Sequence, residues 1–283
     1  MQSFLFSYQN ILKNEISKKN YFTFFRKIFG TLYKFIIKYF KYKLLINLKD
    51  LDSNDINKSS DLSLDEIFTN FNCDKGSHFY FEKKKILSHN YSIFYEKYFK
   101  KLKNKKINLL ELGSHEGKGL ASFYHYFPNS KLIGANINPF QMRFTSKRIT
   151  ELFVDVSSKK ILTSLSNYLN YEPDIIIDDA SHNLRDMLIA FSVFFKKLKN
   201  KGIYVIEDMD QFKVFKELNP YENEPTVIEI LNNIKNDKDF NTSFIDDESK
   251  RYLINNISEI KIERGSMVIQ EKNVSDIAFI FKK

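Results

Sequence analysis

The chain has 283 residues, 43% of them hydrophobic and 16% aromatic, with one cysteine and a formal net charge of +9. That length and apolar content exclude wholesale disorder and suffice for one α/β domain with an extension. A lone Cys73 excludes a disulfide framework, and no run is long and apolar enough to span a bilayer.

The start MQSFLFSYQNILKNE has no basic leader and no small-residue cleavage site, so no signal peptide is expected and the location is expected to be cytoplasmic. Residues 1–50 carry ten basic side chains against Glu15 and Asp50, which leaves the rest of the chain close to neutral. The positive charge therefore belongs to an N-terminal extension, and no nucleic-acid partner is expected for the main domain. Within that extension, Lys27, Thr31, Lys34, Lys38 and Lys41 recur every three or four residues among Phe, Tyr, Ile and Leu. The spacing predicts a helix over residues 21–46 with one narrow polar stripe. Such a helix can pack on the main domain or on a second copy of the chain, or lie at an anionic membrane surface at the inner face of the membrane. The polar stretch LDSNDINKSSDLS (Leu51–Ser63) reads as a linker, which divides the chain into an extension over 1–60 and a main domain over 61–283. Ser63 and Glu66 then have the spacing of a capping box for a helix through Phe71.

From Ile107 onward the pattern alternates. INLLEL (107–112), KLIGANI (131–137), ELFVDV (151–156), DIII (174–177) and IYVI (203–206) are short apolar runs separated by segments of helical length. This predicts an α/β fold: a Rossmann-like, doubly wound, mainly parallel sheet of about seven strands with helices on both faces. EIKI, MVIQ and DIAFIF follow one another closely near the C-terminus and predict antiparallel strands at that edge.

In a parallel sheet, ligands collect at the carboxyl ends of the strands. The first such end carries ELGSHEGKG (Glu111–Gly119), an acid followed by Gly113, Ser114, Gly117 and Gly119. These glycines would let backbone approach a ligand, and the spacing is that of an S-adenosylmethionine (SAM) loop rather than the dinucleotide G-x-G-x-x-G. Glu111 is placed to meet the cationic amino group of the methionine part. At the next strand end Asn136 stands where an acid usually meets the ribose hydroxyls, and Asp155 follows the third strand, where it could take the adenine amine. Two further runs, DIIIDD and IYVIED, bring Asp178, Asp179, Glu207 and Asp208 to the same edge. Converging carboxylates repel unless a cation neutralises them, and an all-oxygen set suits Mg²⁺, Mn²⁺ or Ca²⁺. Asp179, Glu207 and Asp208 are the expected ligands. His182, three residues beyond Asp179, is the candidate general base; Asp186 either orients its imidazole or stabilises the first turn of a helix.

With CDKGS (Cys73–Ser77), HNYSIFYEKYF (His89–Phe99), ELGSHEGKG, DDASHNLRD (Asp178–Asp186) and GIYVIED (Gly202–Asp208) in place, the chain resembles the class I SAM-dependent methyltransferases. More narrowly, it resembles the metal-dependent sugar O-methyltransferases of the macrocin and mycinamicin type. The resemblance runs from about Leu64 to Lys272. It implies SAM held by the Glu111–Gly119 loop and by Asp155; Asn136, which replaces the family's usual ribose-binding acid, and Asp178 are also expected at the cofactor. It further implies Mg²⁺ (or Mn²⁺) on Asp179, Glu207 and Asp208, catalysis through His182 and Asp179, and a sugar or nucleotide-sugar acceptor. A homo-oligomer is expected. A non-sugar hydroxyl acceptor and a catalytically silent membrane scaffold are the competing expectations.

Overall fold

The computed structural model describes residues 48–53, 62–137, 141–221 and 223–283. The helix predicted over residues 21–46, with the membrane and oligomer contacts assigned to it, lies outside the described residues. Seven strands form the main sheet: β1 (Ile107–Leu112), β2 (Ser130–Asn136), β3 (Ile149–Phe153), β4 (Ile175–Asp178), β5 (Ile203–Ile206), β6 (Ile257–Arg264) and β7 (Asp276–Lys282). Their spatial order is 6-7-5-4-1-2-3. Strands β1 to β5 run parallel; β7 inserts antiparallel between β5 and β6. The strand order reverses at β1 and β4, and that is where a doubly wound sheet opens a ligand crevice.

Among the described residues, seven α-helices accompany the sheet: α1 (Leu64–Asn70), α2 (Ser92–Phe99), α3 (Lys118–Tyr126), α4 (Lys159–Tyr168), α5 (Leu184–Lys197), α6 (Val227–Lys235) and α7 (Asp247–Asn256). Strand side chains alternate between two cores, as a period of two requires. Ile175, Ile177, Ile203, Val205 and Phe279 pack with α1–α3, whereas Ile176, Tyr204, Ile206 and Ile280 pack with α4–α7. Runs such as Ile175–Ile177 are apolar throughout because both faces of the sheet are covered.

The predicted capping box is present, with the Ser63 and Glu66 side chains each bonded to the other's backbone at the start of α1. Two expectations change. MVIQ forms no strand of the main sheet; Val268–Ile269 pairs with Lys272–Asn273 in a separate small hairpin. The polar stretch beginning at Leu51 starts as docked chain: Leu51 is buried, and the Asp52 carboxylate accepts bonds from Lys147 N (2.7 Å), Ser146 Oγ (2.8 Å) and Tyr124 Oη (2.9 Å).

Candidate active site

The alternation that builds the cores also sorts the acids. Ile177 faces the α1–α3 side, so Asp178 at the end of β4 turns toward the opposite core, where it is 3.4 Å from the Tyr204 hydroxyl. Burial, reinforced by the charge of Asp179, pushes the Asp178 carboxyl up to about 8. Asp178 is not among the residues lining the two cavities described below, because strand parity turns it toward Tyr204. Asp179, one residue further, falls on the other side together with Glu111 and Glu207. Past the strand ends the backbone enters the left-handed region at His182 (φ 52°) and Asp208 (φ 56°). Such conformations cost about 1–3 kcal/mol for non-glycine residues and cluster at functional sites. Here they let Asp208 and His182 reach the neighbourhood of Asp179.

Among the described residues, Asp179, His182 and Asp208 present ligand atoms within 4.8 Å of one another. His182 Nε2 is 3.7 Å from Asp179 Oδ1. Glu207 stands outside that group, directed inward: Oε2 accepts from Lys75 Nζ at 2.8 Å and Oε1 from the Tyr95 hydroxyl. Of the expected ligands Asp179, Glu207 and Asp208, the structure brings Asp179 and Asp208 together with His182, while Glu207 is held by Lys75 and Tyr95.

Those neighbours come from the two stretches whose roles the sequence left open. CDKGS delivers Lys75, whose side chain is 3% exposed and whose ammonium is bonded to both Asp179 Oδ2 and Glu207 Oε2, with Glu111 Oε1 at 3.7 Å. Burial disfavours this ammonium, yet Asp179 and Glu207 hold its pKa well above the ordinary lysine range. HNYSIFYEKYF delivers His89, Tyr91 and Tyr95. The last two are four residues apart, on one face of the turn entering α2, and each reaches one of two adjacent acids. Tyr91 Oη donates to Asp208 Oδ1 at 2.5 Å, and His89 Nδ1 is 3.0 Å from the same oxygen. Burial opposes the charge on His89, but the Asp208 carboxylate overcomes it and raises the imidazole to about 9. Against its own burial, the carboxyl of Asp208 is drawn down to about 2 by His89. The signal for these residues was the Tyr91–Tyr95 spacing beside a Glu207–Asp208 pair, but only the packing of α2 on the sheet shows who meets whom.

Two cavities flank Gly113. One of about 190 Å³ is lined by Lys75, Phe79, Glu111, Ser114, Gly119 and Asp179, among others. The second, of about 380 Å³, is lined by Asn136, Ile137, Asp155, Val156, Ser157 and Ser181, among others. Gly113 (φ 89°) has to be glycine: a Cβ there would lie 1.9 Å from the carbonyl oxygen of Asp179. Gly119 leaves room for the site itself, since its Cβ would stand 2.6 Å from Glu111 Oε1. Gly117 (φ 80°) occupies the N-cap of α3, and the Ser114 hydroxyl donates to Glu151 Oε1 at 2.7 Å. Burial raises the Glu111 carboxyl to about 7, and its Oε2 is buried without a hydrogen-bond partner.

Asn136 does something the expected acid cannot. Its amide Nδ2 donates to the carbonyl of His115 at 3.1 Å, tying the end of β2 to the glycine-containing turn. A carboxylate has no proton to give. The Asp155 carboxylate accepts from Ser157 N (3.1 Å) and Ser157 Oγ (2.5 Å) beneath the second cavity.

These residues fit both implied groups. A cavity divided by a close-approach glycine, with an orphaned buried carboxylate oxygen at one end, suits a zwitterionic cofactor. Oxygen donors from Asp179 and Asp208 beside an imidazole suit a hard divalent cation.

No family model matches the chain. It is 30% identical over 129 residues to demethylmacrocin O-methyltransferase of Streptomyces fradiae, covering 43% of this chain and 32% of that protein. With mycinamicin VI 2''-O-methyltransferase of Micromonospora griseorubida it shares 28% over 138 residues, 46% of this chain and 34% of the relative. An 8-demethyl-8-alpha-L-rhamnosyl tetracenomycin-C 2'-O-methyltransferase of Streptomyces olivaceus is 28% identical over 128 residues, 43% and 33% of the two lengths. The match therefore spans about a third of the length of these curated relatives. Among solved structures, the MycE methyltransferase of the mycinamycin pathway, in complex with Mg and SAH, superposes with a TM-score of 0.58 at 22% identity, over 79% of this chain and 55% of that one. The chain thus has the class I SAM-dependent methyltransferase fold and resembles the metal-dependent sugar O-methyltransferases of the macrocin and mycinamicin type.

Proposed function

We propose that the protein is a SAM-dependent, divalent-metal-dependent O-methyltransferase acting on a sugar hydroxyl, in a nucleotide-activated sugar or in a surface glycan precursor. The observation that carries this reading is the convergence of Asp179, His182 and Asp208 within 4.8 Å at the strand edge that also holds the glycine-lined cavities. Two curated relatives are named as O-methyltransferases of an alpha-L-rhamnosyl tetracenomycin and of an L-olivosyl-oleandolide, which supports a sugar acceptor.

When bound, SAM supplies an electrophilic methyl group, and a divalent cation lowers the pKa of a hydroxyl and orients it. The chain's own residues do the rest. Glu111 offers the unpartnered Oε2 to the methionine amino group, and Asp155 lies at the cavity that suits the adenine. Asp179, Glu207 and Asp208 would hold the cation. His182, whose Nε2 is 3.7 Å from Asp179 Oδ1, is the group proposed to accept the hydroxyl proton as general base. Placing nucleophile and methyl in contact is worth about 7–11 kcal/mol in favourable cases. Residues 21–46 are proposed to bring the enzyme to an anionic membrane surface or to a second copy of itself.

The test is a thermal-shift titration with SAM and with S-adenosylhomocysteine, in Mg²⁺ and in EDTA, followed by acceptor screening among nucleotide sugars. Stabilisation by either ligand and methyl transfer to a sugar are expected. Absence of any shift under both metal conditions overturns the cofactor assignment.

A further inference from the structure

Lys75 poses a problem for an ordinary cation site. Its side chain is 3% exposed and its ammonium is already bonded to Asp179 Oδ2 and Glu207 Oε2, one oxygen of each of two carboxylates assigned to the metal. Burying a lysine charge is unfavourable unless it is paired, so the residue is there because the carboxylates need it. The turn that carries it is held firmly. The Asp65 carboxylate accepts from Ser77 N (2.6 Å), Ser77 Oγ (2.7 Å) and Ser92 Oγ (2.7 Å), binding the Cys73–Ser77 segment to α1 and α2. The backbone that carries Lys75 is thus fixed, and a third carboxylate oxygen, Glu111 Oε1, stands 3.7 Å from its ammonium as an acceptor on displacement.

We propose that Lys75 is a built-in counter-ion that keeps the site assembled before metal arrives, and that it competes with the divalent cation for Asp179 and Glu207. This rests on the metal-dependent reading above and goes beyond it. Lys75 is a positioning residue, acting through the carboxylates. Its presence makes the metal site weaker and more readily exchanged than its acids alone would make it.

The experiment titrates Mg²⁺, then Mn²⁺, into metal-stripped wild type and Lys75→Met, reading dissociation constants by calorimetry and melting temperatures in parallel. Lys75→Met is expected to melt below wild type without metal and to bind the cation about tenfold more tightly, equivalent to roughly 1.4 kcal/mol. A residue with a merely structural role would not improve affinity when removed. Equal or weaker binding by the variant overturns the proposal while leaving the metal site standing. No response to metal in either protein overturns the metal site as well. Should Lys75→Met fail to fold, Lys75→Met/Glu111→Gln removes one charge of each sign, leaves the three carboxylates assigned to the metal intact, and is expected to show the same tightening.

Discussion

The proposed role of His182 can be separated from that of the acids assigned to the metal by what its removal leaves intact. As a general base it should contribute about 10²–10⁴ to the rate. His182→Ala is therefore expected to lose turnover by that order while Mg²⁺ affinity, read by calorimetry, stays within a few-fold of wild type. A large fall in affinity would make the imidazole a ligand, a role its 4.8 Å grouping with Asp179 and Asp208 also allows. Asp179→Ala should lose both. At Gly119, a methyl group would stand 2.6 Å from Glu111 Oε1 and 3.1 Å from Lys75 Cε. Gly119→Ala should displace that carboxylate and weaken binding of S-adenosylhomocysteine severalfold, with little loss of stability because Glu111 can retreat into the cavity. Residue identities at this edge were legible in sequence because strand-ending acids have few other uses. Lys75, His89, Tyr91 and Tyr95 were not, since a lysine or tyrosine on a helix or turn is ordinarily a surface or core residue and nothing local marks its partner.

At the scale of elements, helix ends are where local sequence and structure agree best. Ser63–Glu66 and Thr226–Glu229 both form reciprocal capping boxes, and Asp246 caps α7 by accepting from Ser249 N at 2.8 Å. That bond, aided by the Ser249 side chain and by Lys159, holds the Asp246 carboxyl below the usual aspartate range. A depressed pKa means the stabilisation is present above the ordinary value near 4 and is lost as the folded carboxylate protonates below it. Asp246→Ala should cost about 1 kcal/mol at neutral pH, judged from N-cap substitutions. The gap between variant and wild type in urea unfolding should narrow as the pH falls below about 4. A gap independent of pH would show that the cap contributes through packing alone. Strand boundaries were less legible: β3 ends at Phe153, not Val156, and Val154–Ser157 becomes the wall of a cavity. An apolar run does not announce where pairing stops, because a neighbouring strand and not the run itself decides it.

At the scale of the molecule, the two cavities meeting at Gly113 predict a single cofactor site, and binding there should stabilise the entire fold. Ligand at one hundred times its dissociation constant adds about 2.7 kcal/mol. For a domain of this size that corresponds to a rise of roughly 5–10 °C in melting temperature. The sequence by itself determined the doubly wound class, the strand-edge location of the acids and the glycine turn, because periodicity and turn chemistry are local properties. Only the tertiary structure decided that β7 inserts antiparallel between β5 and β6, that strand parity sends Asp178 away from Asp179, and that a buried ammonium from residue 75 stands between acids more than one hundred positions distant in the chain. Parity, once the strand ends are known, sorts side chains to faces. Which charges then neutralise one another depends on the packing of α1 and α2 against the sheet, and no stretch of sequence contains that information on its own.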